Sequence, residues 1–160
     1  MLYIREPAAV AVVPPPPGVL LREPSPTDTE ALGRLYYEAY NPPVVDNETA
    51  GIEDIRLTFE GTYGPLSLAG SRLAFAAGAS DEAPTLIGAV LVVDRAPWPG
   101  TPDCPFIIEA FTSPAWRRKG LATALLTECM TQSPVRYALN VLPDNTAAVK
   151  LYEVLGFQPG

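Results

Sequence analysis

The sequence predicts a mixed α/β domain, and three observations carry that reading. Branched apolar runs of strand length occur at 19–22, 85–93 and 105–112. Between and after them, apolar residues recur at helical spacing. The chain has 160 residues, 48% of them hydrophobic, which suits one domain with a real core.

The elements follow in order. Residues 1–18 read as a Pro-rich lead-in to a domain spanning 19–160. Ala8 to Val13 has the composition of a short strand, and Pro14-Pro15-Pro16-Pro17 acts as a semi-rigid polyproline spacer. A ligand for a Pro-rich-recognition module is the alternative reading of that tract. Val19–Arg22 is a strand, followed by Ser25-Pro26-Thr27-Asp28, an N-cap with proline at the first helical position. Leu32, Leu35, Tyr36 and Ala39 then mark a helix that ends before Asn41-Pro42-Pro43. A second helical stretch covers 48–63, with Ile52, Ile55, Phe59 and Tyr63 along one face. Strands at 72–77 and 85–93 are joined by an acidic turn, and Pro97, Pro99 and Pro102 mark a loop. A strand at 105–112, a helix at 117–131, a strand at 135–142 and a helix at 145–155 closed by Gly156 complete the order.

Composition excludes several functions. A net charge of −7 disfavours nucleic acid and anionic membrane as main partners, because phosphate neutralisation needs clustered Lys and Arg. No apolar run approaches a membrane span, and the Pro-interrupted N-terminus lacks a signal-peptide core, so a cytoplasmic location is expected. The absence of histidine removes the commonest general base and most metal sites. Cys104 and Cys129 have no metal-ligand spacing, and no metal is expected.

Against that acidic background, 3 of the 11 Lys and Arg residues stand together in Arg117-Arg118-Lys119-Gly120-Leu121-Ala122. The run joins an apolar strand to a helix. At a helix N-terminus the first N–H groups lack partners and the dipole is positive, so a phosphate is favoured there. Downstream, residues 145–157 read Asn145-x-x-Ala148-x-x-Leu151-Tyr152-x-x-x-Gly156-Phe157. Together these segments resemble the GCN5-related N-acetyltransferase (GNAT) family, whose pyrophosphate loop is R/Q-x-x-G-x-G/A, here Arg117-x-x-Gly120-x-Ala122. The resemblance covers about 19–157, with its specific motifs in 105–157.

The resemblance implies a GNAT-like fold, a central, mostly antiparallel mixed sheet flanked by helices. It also implies transfer of an acetyl group from acetyl-CoA, as co-substrate, to a primary amine. The amides of Arg117, Arg118, Lys119, Gly120, Leu121, Ala122 and Thr123 would cradle the pyrophosphate. Phe111 and Thr112 would pair with the pantetheine arm, Asn145 would hydrogen-bond it, and Ala148 would lie beside it. Tyr152 would protonate the departing thiolate.

The base is less direct. Relatives carry a carboxylate on the fourth strand, at positions that fall near Phe106 and Ile108 here, and both are apolar. Glu109 is the acid on this strand. Strict alternation turns it to the other face, and a bulge of the kind the family carries would bring it back. Tyr36, Tyr37, Glu38 and Tyr40 are alternative substrate-side groups. Neither cysteine sits in a nucleophile position, so transfer is expected to be direct, in a ternary complex. The rival reading is a catalytically inactive acyl-CoA-binding regulatory domain.

In the family a further strand pair follows Gly156-Phe157. Only Gln158, Pro159 and Gly160 follow here, so the C-terminal strands are expected to be shortened. The segment 8–13, or the same segment from a second subunit in a homodimer, is expected to cover the exposed edge. Acceptor choice is expected from the loops at 41–50 and 94–104, where Asp46, Glu48 and Asp103 could attract a cation.

Overall fold

A computed structural model describes residues 1–40 and 43–160. Among these, seven strands form one sheet in the order β2-β3-β4-β5-β6-β1-β7. The elements run β1 (Leu2–Arg5), β2 (Val19–Arg22), α1 (Thr29–Tyr40), α2 (Glu48–Glu60), β3 (Arg72–Ala76), β4 (Thr85–Val93), β5 (Phe106–Thr112), α3 (Leu121–Thr131), β6 (Tyr137–Asn140), α4 (Thr146–Val154) and β7 (Gln158–Pro159). All neighbouring strands are antiparallel except β5 and β6.

Strand β4 shows why the sheet is covered on both faces. Its residues are buried almost throughout, and successive side chains turn to opposite sides. Ala89 and Leu91 join Leu32, Leu35, Ile55 and Phe111 under α1 and α2. Val90 and Val92 join Leu121, Leu125, Leu126 and Tyr152 under α3 and α4.

α1 and α2 cross at a pair of glycines. A Cβ on Gly33 would lie 2.3 Å from the Cα of Ile52, and one on Gly51 would lie 2.5 Å from the Gly33 carbonyl oxygen. Only bare backbone allows that approach. At the start of α1, Asp28 receives both terminal nitrogens of Arg22, at 2.7 and 2.9 Å, and the backbone N–H of Ser25 at 2.8 Å. The Arg22 hydrogen bonds first, and the Ser25 N–H with them, hold its carboxyl below the usual range against the opposing effect of burial.

One expectation is corrected here. The segment that enters the sheet beside β6 is Leu2–Arg5, not 8–13, and it belongs to the same chain. It pairs with β6 from Leu2↔Asn140 to Arg5↔Tyr137 and with β7 on its other side. The place of the family's strand pair after Phe157 is taken by β1 and the short β7. Residues 8–13 run irregularly as a strap across the α3 face. The Val13 N–H donates to Thr127 Oγ1 at 3.1 Å, while the Arg5 guanidinium donates to the carbonyls of Ala8 and Ala9.

Boundaries shift for identifiable reasons. The helix expected from 117 begins at Leu121, because Arg118 and Gly120 have φ of 61° and 77°, which no right-handed helix accepts. The second helix ends at Glu60, so Tyr63 lies in the turn beyond it. The expected break at Asn41-Pro42 lies outside the described residues.

Candidate active site

The site begins where two strands part. β5 and β6 are paired only at Phe106↔Ala138 and Ile107↔Leu139. Beyond Ile107 they diverge, and a cleft of about 520 Å³ opens between them. The same point carries a β-bulge. Leu91 faces Glu109 and Val92 faces Ile107, leaving Ile108 without an opposite number on β4. The extra residue resets the facing of the strand. Glu109 therefore shares the α1 side with Phe111, whose ring packs 5.5 Å from Tyr36 and 5.9 Å from Tyr40.

Phe111, Thr112, Arg117, Ala122, Asn145, Ala148 and Tyr152 all line this cleft, with Tyr40 and Glu109. Asn145 caps α4, its Oδ1 accepting from the Ala148 N–H at 3.3 Å. The amide nitrogen of its side chain is the donor left to face the cleft. The Tyr152 ring packs edge-on to Phe157 at 5.8 Å. Burial first, and then the charge of Glu109, push its phenol up to about 12. It keeps its proton across the physiological range.

The basic loop is less uniform than its sequence suggests. Arg117 donates to the Ala39 carbonyl at the end of α1, at 2.8 Å. The Lys119 ammonium sits 5.0 Å over the Trp116 ring. Arg118 alone among the described non-glycine residues has a positive φ, and Leu121 turns its side chain into the core. Arg118, Lys119, Gly120, Leu121 and Thr123 do not form the cleft wall, so any part they take in phosphate binding falls to backbone amides and charge at the N-terminus of α3. That N-terminus suits the task. Gly120 is its N-cap, no side chain caps it, and a Cβ on Gly120 would meet nothing within 4 Å. The open, uncapped turn fits a diphosphate.

A second cavity, of about 180 Å³, lies against the first. Tyr36, Asp54, Ile55, Thr58, Tyr63, Trp98, Ile108 and Glu109 line it. Ile108 and Glu109 belong to both, so they form the wall between them. Burial first, and then the charge of Asp54, push the Glu109 carboxyl up to about 8, while hydrogen bonds from Tyr36 and Tyr40 pull the other way. The single hydrogen of the Tyr40 hydroxyl is shared with the Ala110 carbonyl, 3.1 Å away. The Tyr63 hydroxyl donates to the Asp54 carboxylate. Glu38 is bound by the Ser113 hydroxyl at 3.4 Å.

Asp54 and Tyr63 are the residues that sequence reasoning missed. Asp54 sits beside Ile55 on α2 with no motif around it, and only the packing of α2 on α1 brings it to Glu109. Trp98 supplies the aromatic side of the cavity from the 94–104 loop. Asp46 and Glu48 are exposed and line neither cavity. Among the described residues, no three His, Cys, Asp or Glu side chains gather to hold a metal, and no helix is long and apolar enough to cross a membrane.

Comparison with known proteins bears on this arrangement. A sequence model of the acetyltransferase (GNAT) family matches residues 30–157. No curated protein matches the sequence. Solved structures share the fold at low identity. The aminoglycoside N-acetyltransferase AAC(6')-Iy, in complex with CoA, superposes with a TM-score of 0.65 at 21% identity, over 92% of this chain and 93% of that one. The ribosomal-protein-S18-alanine N-acetyltransferase from Escherichia coli gives 0.60 at 19%, over 89% and 79%. A histone acetyltransferase HPA2 and related acetyltransferase from Corynebacterium glutamicum gives 0.63 at 20%, over 89% and 86%.

Proposed function

This chain belongs to the acetyltransferase (GNAT) family, and from that premise we propose that it moves an acetyl group from acetyl-CoA directly to a primary amine. The observation that carries the reading is Glu109 in the wall shared by the two cavities. A donor in one cavity and an acceptor in the other would meet at a carboxyl able to take a proton.

Acetyl-CoA supplies the activated acyl thioester. The uncapped N-terminus of α3 binds its diphosphate, assisted by the charge of the basic loop. The separated edge of β5, from Ile108 to Thr112, offers backbone groups to the pantetheine arm, and Asn145 donates to it from α4. On the far side of the wall, Glu109 in its ionised form, which grows as pH rises towards 8, takes a proton from the acceptor ammonium, whose own pKa is about 10.4. The freed amine attacks the thioester carbonyl. A backbone N–H of β5 stabilises the resulting oxyanion, a contribution of roughly 3 kcal/mol for one donor. When the C–S bond breaks, the attacking nitrogen loses its second proton and the leaving thiolate gains one, with Tyr152 hydrogen-bonded to the sulfur and, where it gives up its own proton, regaining one from that nitrogen. A phenol pushed up to about 12 is a weaker acid than free tyrosine, so hydrogen bonding is the larger share of its work.

The test is calorimetric titration with acetyl-CoA together with an amine-dependent thiol-release assay. Micromolar binding that an Arg118→Ala, Gly120→Asp double variant abolishes, with thiol release on adding an amine, is the expected result. Binding without release from any amine would instead favour an inactive acyl-CoA-binding domain.

A further inference from the structure

The second cavity says more about the acceptor than that it is an amine. Resting on the acyl-transfer reading above, we propose that the acceptor presents an alkylammonium group, an aliphatic amine with no carboxylate beside the nitrogen, and that Asp54 selects it.

Size sets the first limit. At about 180 Å³ the cavity is slightly larger than the roughly 150 Å³ that holds one benzene, which leaves room for a chain of five or six heavy atoms. Its walls are the aliphatic side chains of Ile55 and Ile108 and the rings of Tyr36, Tyr63 and Trp98. Such walls favour methylene groups and the face-on approach of a cation.

Hydrogen bonding sets the second limit. The hydroxyl donors of the cavity are already committed. Thr58 Oγ1 donates to the Asp54 carbonyl at 2.9 Å, Tyr63 donates to the Asp54 carboxylate, and the single O–H of Tyr36 is shared between the Asp54 and Glu109 carboxyl groups. Besides the indole N–H of Trp98, what remains for a ligand is acceptor capacity on the Asp54 and Glu109 carboxyl groups. A ligand must therefore bring donors, and an ammonium brings three and accepts none.

Charge sets the third. No Lys or Arg lines the cavity, and two acids do. A free α-amino acid would place its own carboxylate against the Asp54 carboxylate, with no lining Lys or Arg to answer it. The cavity thus separates amines that share a nitrogen but differ in the neighbouring group. Asp54 stands on the acceptor side only, away from the donor cleft, so its part is to hold the cation while Glu109, at the shared wall, removes the proton.

The test uses the full chain saturated with CoA, so that binding is read without turnover. n-Pentylamine, norleucine (the same amine with an α-carboxylate) and norleucinamide are titrated in turn. The expected result is saturable binding of n-pentylamine and norleucinamide, with norleucine at least tenfold weaker. Asp54→Asn should weaken n-pentylamine at least tenfold and leave CoA affinity unchanged, which also reports an intact fold. Should that variant fail to fold, the three-ligand comparison on the unaltered protein decides. Norleucine binding as well as n-pentylamine, no saturable amine binding, or an Asp54→Asn protein with undiminished amine affinity would each overturn the proposal. Thiol release from acetyl-CoA is followed in parallel. Amine binding without release removes the transferase reading and leaves the ligand class standing. Release from norleucine as fast as from n-pentylamine does the reverse.

Discussion

Glu109 is held at a cost to the folded protein. A carboxyl has an ordinary value of 4.5, and here it is pushed up to about 8 by burial and by Asp54. Between those two values the unfolded chain has released the proton and the folded chain retains it. The folded state then binds more protons, so stability from this group is lost as pH rises from about 4.5 to about 8. Glu109→Gln should accordingly raise unfolding free energy above pH 8, on the order of 2–4 kcal/mol, measured by urea denaturation at pH 5 and pH 9. At pH 5 the gain should nearly vanish. The same variant should lower amine-dependent thiol release by roughly 100-fold or more. It should also abolish a rising limb centred near pH 8 in the unaltered protein. The groups facing Glu109 are Tyr36 and Tyr40 on α1, Asp54 on α2, Tyr63 beyond α2 and Tyr152 on α4. The phenols among them are themselves pushed upward, and after burial it is Asp54 that raises Glu109. A variant no more stable at pH 9 than the parent would show that Glu109 is not strained in this way.

At the scale of elements, the site depends on how closely α2 lies on α1. Alanine normally stabilises a helix relative to glycine by about 1 kcal/mol. Gly33→Ala should do the opposite, because its Cβ would meet the Ile52 Cα at 2.3 Å. A loss of about 1–3 kcal/mol is expected from overpacking, read as a lowered midpoint in thermal unfolding. The amine KM should rise while CoA affinity holds, since Tyr36 and Asp54 face each other across this crossing. An unchanged or raised midpoint would mean that the helices have room to part.

This crossing also shows what could be read from the chain. Each helix announces itself by its apolar spacing, and the turn at Arg117–Ala122 by its charge and glycine. Asp54 could not be found in that way, since an acid beside one apolar position carries no period. Its meaning comes from a neighbour on another helix. The Ile108 bulge is similar. The sequence offers a reason to want it, because Glu109 would otherwise face away, but the slip itself is a matter of register between β4 and β5. Leu2–Arg5 is too short to show alternation, whereas 8–13 offers a longer apolar run and so reads as the better strand. Pairing decided the matter, with Tyr3 buried in the core opposite Leu139.

Across the whole molecule, β1 is an interior strand that stabilises both β6 and β7. Deleting residues 1–6 should expose the β6 edge, strip Tyr3 from the core and abolish a cooperative thermal transition. Replacing Ala8–Val12 with Ser and Gly should cost far less, because that stretch pairs with no strand. A soluble deletion variant that melts at the parental temperature would rule out this structural role. The arrangement also has a history in time. Leu2–Arg5 must wait for partners made more than a hundred residues later, since it pairs with 137–140 and 158–159. At about 5–20 residues per second, a ribosome would need roughly 8–30 s to deliver those partners. Throughout that interval a short apolar strand trails from the nascent chain with nothing to bind. The four prolines that follow cannot donate to a ladder, so they limit how far a mistaken pairing could spread while the sheet is still unfinished.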